Sequence, residues 1–181
     1  MRILRVFESV SVDGFFTDAS GDMSFAHAPP DPEYLAWVAQ NAGSGGALLF
    51  GRKTYEQMAA FWPSEVAAQQ MPEVARGMNA ATKYVATRTI VPTWHNAHRL
   101  AGELVDAVRA LKAEPGPPIV VLGSGSVASQ LGEAGLVDEY QLVIVPIALG
   151  AGRSIFARRT PLRRVAERAF ANGHVMVTYA T

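Results

Sequence analysis

The residues best suited to chemistry are Gly51-Arg52-Lys53-Thr54, because they follow four apolar residues, Ala47 to Phe50, with no polar alternation. Such a run is the pattern of a strand covered on both faces, and Gly51 lets the chain turn sharply into a helix opening near Arg52. Free amides at a helix start favour an anion, and Arg52 and Lys53 add two mobile positive charges beside them. Helix starts normally attract acids, so two bases there oppose the helix dipole by roughly a few tenths of a kcal/mol unless an anion offsets them. The ligand suggested is a phosphorylated nucleotide; the alternative is that both bases are ordinary solvated charges on a surface helix.

A second candidate lies at Ile119 to Ala128, a buried strand running into Gly123-Ser124-Gly125-Ser126-Val127 and a helix through about Glu133. The glycines allow close backbone approach to a phosphate, and the helix start supplies amides. The match to G-x-G-x-x-A is formal, since a dinucleotide-binding turn normally follows the first strand, and Asp138-Glu139 here precede the next one. The site reads as a phosphate cradle or as a plain tight joint. Thr87 and Arg88 end the strand from Lys83 to Thr89; if it lies parallel to 47–50, both emerge at the edge that carries Arg52. Two arginines there would suit a doubly charged phosphate, against an independent surface role for Arg88. Asp13-Gly14 stops the first strand with Phe15 and Phe16 directly behind, so Asp13 either borders a pocket or only forms the turn. Phe61-Trp62 before Pro63 is either a packed helix stop or a pocket wall.

These residues must be positioned by alternating strands and helices. Arg2 to Val12 is a strand. Asp31 as N-cap and Pro32 at the first position open a helix with Leu35, Val38, Ala39 and Ala42 on one face, ended by Gly43-Ser-Gly-Gly46. A helix from about 52 to 60 follows the second strand, and Glu65 to Ala80 is helical with a break at Pro72. Pro92 to His98 reads as loop, Glu103 to Ala113 as helix, and Tyr140 to Ile147 as a buried strand in which Pro146 demands an edge or a bulge. Asn172-Gly173 between 163–170 and 174–179 signals a hairpin. Helices between early strands and antiparallel strands late predict an α/β fold whose mixed sheet has helices on both faces.

At 181 residues and 49% hydrophobic content the chain suits one domain spanning 1–181. Sixteen basic and sixteen acidic residues cancel, and no basic run appears, which argues against a nucleic-acid partner. Charge interrupts Met1 to Glu8 every few residues, so the stretch is neither a signal peptide nor a membrane span, and a cytoplasmic location is expected. Zero cysteines exclude disulfides, thiolate metal sites and a catalytic thiol. His95 and His98 lack a carboxylate at ligand spacing, so no metal is expected. An exposed strand edge and apolar late strands make a homodimer the expected assembly.

Taken together, several stretches resemble the dihydrofolate reductase fold, and within it the family of the riboflavin-biosynthesis reductase domain. The resemblance spans nearly the whole chain. It rests on Ser11-Val-Asp-Gly14, Phe50-Gly-Arg-Lys-Thr-Tyr-Glu56, Thr87-Arg88, Leu122-Gly-Ser-Gly-Ser126, Val137-Asp-Glu-Tyr140 followed by Pro146 and Leu149-Gly-Ala-Gly152, and the Phe170-Ala-Asn-Gly173 hairpin, in that order.

The resemblance implies a central, mostly parallel sheet and NADPH as cofactor. Gly51, Arg52, Lys53 and Thr54 would meet the pyrophosphate and the 2′-phosphate, with Arg52 as the main charge contact, and Thr87-Arg88 the adenosine end. Gly123, Ser124, Gly125, Ser126 and Val127 would lie on the phosphate nearer the nicotinamide, which Ser9 to Val12 would line. Asp13, Phe15, Tyr34 and Trp62 would surround a substrate pocket, with Asp13 the candidate catalytic residue. Tyr34 stands where dihydrofolate reductases carry an acid, and Glu33 faces elsewhere on the helix, which points away from folate. The implied activity is NADPH-dependent hydride transfer to a small heterocycle, imine or carbonyl. Its alternatives are a stand-alone 5-amino-6-(5-phosphoribosylamino)uracil reductase and a non-catalytic nucleotide- or flavin-binding module.

Overall fold

The computed structural model describes residues 1–181 apart from Ala28 and Pro30. Eight strands form one sheet: β1 (Leu4–Ser11), β2 (Ala47–Gly51), β3 (Lys83–Ala86), β4 (Ala97–Arg99), β5 (Ile119–Leu122), β6 (Glu139–Val145), β7 (Arg163–Ala169) and β8 (Val175–Ala180). Their order is β4-β3-β2-β5-β1-β6-β8-β7. The first six are mutually parallel, and β8 and β7 join antiparallel. The mixed sheet expected from the sequence is present, with all six parallel strands ending at one edge.

Helices cover both faces. On one side α5 (Leu104–Ala113) and α6 (Gly125–Glu133) bury Val108, Leu111, Val127 and Leu131 against Leu4, Val6 and Val10 of β1 and their neighbours on β5 and β6. On the other side lie α1 (Pro32–Ala42), α2 (Arg52–Phe61), α3 (Glu65–Gln70) and α4 (Pro72–Ala80). There Tyr55, Val74 and Met78 pack on Leu48, Phe50 and Val85, while Tyr34 and Trp37 pack on Val143, Phe170 and Met176. The start of α1 follows its sequence signal: Asp31 accepts the amides of Glu33 and Tyr34 and Pro32 holds the first position. Pro72 likewise divides α3 from α4.

Two expectations change. Ala97 and His98, read as the end of a loop, join Arg99 in β4 by pairing with Lys83 to Val85; no residue pattern announces so short an edge strand. Its anchor is Lys83, fully buried, whose ammonium donates to the carbonyls of Asn79, Ala81 and His95 and lies 4.3 Å from the Trp94 ring centroid. Pro146 requires neither an edge nor a bulge, because β6, paired on both sides, ends at Val145. The exposed edge at β7 carries Arg163, Arg164, Glu167 and Arg168 and a register shift between Arg164 and Ala166, features that oppose edge-to-edge pairing.

Candidate functional site

The strand order creates one crevice at the carboxyl edge. β5 inserts between β2 and β1, so β2 and β5 are neighbours, yet α2 leaves β2 toward one face and α6 leaves β5 toward the other. Adjacent strands whose helices depart in opposite directions form the switch point at which open α/β sheets take ligands. The Gly51 amide donates to the Ser124 hydroxyl across it at 2.8 Å. A Cβ on Gly51 would come within 3.3 Å of Val127, and one on Gly123 within 3.1 Å of Thr54. The two joints interlock, and glycine is what lets them.

The helices flanking this crevice share a feature the other four lack. Among the described residues, α1 and α3 have capping side chains, and α1, α3, α4 and α5 each carry an acid in the first turn, namely Glu33, Glu65, Glu73 and Asp106. Both α2 and α6 have neither cap nor acid. Both helix starts lie at the carboxyl edge, and Arg52 and Lys53 stand exposed there. Ser126 is exposed on the first turn of α6. Such an arrangement offers amide donors and positive charge to an anion.

Residues 2–175 match the RibD C-terminal domain family. The chain belongs to that family. It is 28% identical over 174 residues to the uncharacterized protein YyaP of Bacillus subtilis (strain 168), covering 94% of this chain and 90% of that one. Among solved structures, a putative riboflavin biosynthesis protein from Shewanella sp. PV-4 superposes with a TM-score of 0.69 at 20% identity, covering 98% of each chain. A pyrimidine reductase-like protein from Corynebacterium diphtheriae gives 0.59 at 17% identity over 99% of this chain and 91% of its own. Family membership supports a reductase-type role, and the solved structures establish the shared fold.

In this RibD C-terminal domain the other sequence candidates divide. Thr87 and Arg88 follow β3, whose Ala86 pairs with Gly51, so they emerge beside the crevice. Arg88 pairs at 2.5 Å with Glu103 on the exposed surface, a bond weak enough to exchange for a ligand phosphate. Ser9 lies on the α1 side of β1, level with Val143. Phe15 turns tightly against β1, its carbonyl accepting the Ser11 amide and its own amide donating to the Ser11 hydroxyl.

Asp13 stands at the end of the first strand with its carboxylate engaged by the chain. Its carboxylate accepts the Ser11 hydroxyl at 2.5 Å and the amides of Gly150 and Leu149 at 2.7 and 3.2 Å. The Ser11 hydroxyl first, then the Gly150 amide, hold its pKa below the usual carboxylate value. These bonds tie its carboxylate to the 149–150 turn. Tyr34 is 9% exposed, edge-on to Phe170 at 5.1 Å and 5.2 Å from the His174 ring, and burial pushes its hydroxyl pKa up. Tyr34 belongs to the core cluster on Val143 and Phe170, and Trp62 packs against the one on Phe50 and Val85. It packs with Phe61 at the far end of α2, its indole donating to Met58 Sδ and its carbonyl accepting Asn79, about 15 Å along the helix from Gly51.

Three residues outside the sequence candidates converge here. Arg153, remote in sequence, is bridged to Thr17, and its carbonyl accepts the Phe16 amide. Phe16 lays its ring over Gly125, where any Cβ would collide with it. Glu8 is 3% exposed in β1, and burial pushes its carboxyl up to about 8. The one trace of Glu8 in the sequence is an acid at an inward position of the alternation Val6, Glu8, Val10.

Proposed function

We propose that this protein is an NADPH-dependent reductase that delivers hydride to a small heterocycle or to a related imine or carbonyl compound. The observation that carries this reading is the pair of uncapped, acid-free helix starts at one switch point, with Arg52 and Lys53 beside them. Gly51 to Thr54 would hold the pyrophosphate and 2′-phosphate, Thr87 and Arg88 the adenosine end, and Gly123 to Val127 the phosphate nearer the nicotinamide. When bound, the cofactor supplies the hydride. The chain's own part is orientation: Ser9 lines the nicotinamide side, Asp13 fixes the turn at 149–150, and Phe15 and Tyr34 border the substrate space.

One observation favours the phosphate-bearing substrate of the aminopyrimidine reductase alternative. Arg153, distant in sequence from Asp13, is held next to Phe16 and Thr17. Its guanidinium lies beside Gly21 and would supply the third basic group such a substrate requires.

Titration calorimetry with NADPH, NADH and FMN on wild type and Arg52→Ala tests the reading. NADPH is expected to bind at least tenfold tighter than NADH, about 1.4 kcal/mol, with Arg52→Ala erasing the preference. Absence of binding by both nicotinamide cofactors overturns it, and tight FMN binding in their place would make the protein a flavin module. Consumption of NADPH with a carbonyl or imine acceptor separates an enzyme from a nucleotide sensor.

A further inference from the structure

Glu8 is a buried acid with one carboxyl oxygen unpartnered among the described residues. Strand alternation puts it on the face of β1 that carries Leu4, Val6 and Val10, in the cluster beneath α6. The register places Phe7 opposite Leu122, so Glu8 comes level with Gly123, whose amide reaches the Phe7 carbonyl at 3.3 Å. Glu8 therefore lies directly behind the turn that opens α6. One carboxyl oxygen accepts the adjoining Ser9 amide at 3.2 Å; the other has no partner among the described residues. An unpartnered buried oxygen is destabilising, and a leucine of similar volume in this apolar cluster would not carry that penalty. A group that the fold disfavours, placed behind the proposed cofactor turn, marks a ligand contact.

With its proton retained at neutral pH, a carboxyl offers one donor and one acceptor side by side. The complementary group is a primary carboxamide, whose carbonyl takes the O–H while its N–H donates back. Phe16, half-buried, covers Gly125 at the start of the same helix and would yield its place to the ligand ring.

We propose that Glu8 recognises the carboxamide of the nicotinamide ring, which enters the position now filled by the Phe16 side chain above Gly125. This rests on the NADPH reading, and the test separates the two. Binding of NADPH, of its reduced 3-acetylpyridine analogue, whose methyl ketone cannot donate, and of 2′,5′-ADP, which has no nicotinamide, is measured on wild type, Glu8→Leu and Glu8→Gln, together with melting temperatures.

Glu8→Leu is expected to raise the melting temperature and to weaken NADPH at least tenfold, while 2′,5′-ADP stays within twofold of wild type. Glu8→Gln, which retains a donor and an acceptor, recovers most of the NADPH affinity. Wild type prefers NADPH to the acetylpyridine analogue at least fivefold, and Glu8→Leu loses that preference. Equal effects of Glu8→Leu on NADPH and 2′,5′-ADP, an unchanged NADPH affinity, or no discrimination against the analogue by wild type overturns the assignment while leaving the cofactor reading intact. A wild type that binds none of the three overturns both.

Discussion

The amide of Gly51 donates to the hydroxyl of Ser124 at 2.8 Å, joining the end of β2 to the start of α6 across 73 residues of sequence. Ser124 reaches it in a left-handed conformation, with φ 61° and ψ 56°, which few non-glycine residues adopt. The strain and the bond belong together: the backbone that aims this hydroxyl at Gly51 is the one that starts the helix.

Ser124→Ala removes the acceptor and keeps the Cβ in a left-handed site, whereas Ser124→Gly removes the acceptor and the strain together. Urea denaturation is expected to show Ala destabilised by about 1–2 kcal/mol and Gly by roughly 1 kcal/mol less than Ala. Equal midpoints for the two variants would separate the left-handed backbone from the stability of the joint.

Gly125 and Phe16 should be energetically coupled. Gly125→Ala forces its new methyl group into the Phe16 ring and is expected to cost about 1–3 kcal/mol. In a Phe16→Ala background that collision is removed, and the same substitution is expected to cost under about 1 kcal/mol. A double-mutant cycle measures the difference, and a coupling of at least about 1 kcal/mol is expected for residues in direct contact.

His174 gives the fold a sensitivity to acid. It is 1% exposed, and neither ring nitrogen has a hydrogen-bond partner among the described residues. Burial lowers its pKa below 6.5, partly opposed by the nearby Asn172 backbone and the Asp31 charge. A histidine that folds neutral contributes stability present above its unfolded pKa and lost as pH falls below it, because the unfolded chain then binds the proton first. The urea midpoint of wild type should therefore fall between pH 7.5 and 5, with His174→Phe showing a flatter dependence. A parallel fall in the variant would locate the titration elsewhere.

Lys83→Met keeps the apolar stem and removes the ammonium. The carbonyls of Asn79, Ala81 and His95 then lose their shared donor, and β4 loses the anchor that ties it to the end of α4. A destabilisation of about 2–4 kcal/mol is expected in thermal or urea unfolding. Hydrogen exchange should locate the earliest loss of protection at 94–99, the least supported part of the sheet.

Much of the scaffold is determined by residues close together in the chain. Asp31 and Pro32 start α1, Gly51 ends β2 where α2 begins, Pro72 divides two helices and Asn172-Gly173 turns the hairpin, because caps, prolines and glycines act on their immediate neighbours. Tertiary structure alone decided which of these joints meet. The insertion of β5 between β2 and β1 brings Ser124 to Gly51 and Gly123 to Glu8, and no local preference specifies that order; it follows from burying both faces of the sheet at once. The same assembly ties Asp13 to the 149–150 turn, sends Trp62 to the far end of α2 and draws Arg153 to Phe16. Residue type and spacing reveal which groups can hold charge, whereas strand order and register decide which of them are already occupied by the fold and which remain for a ligand.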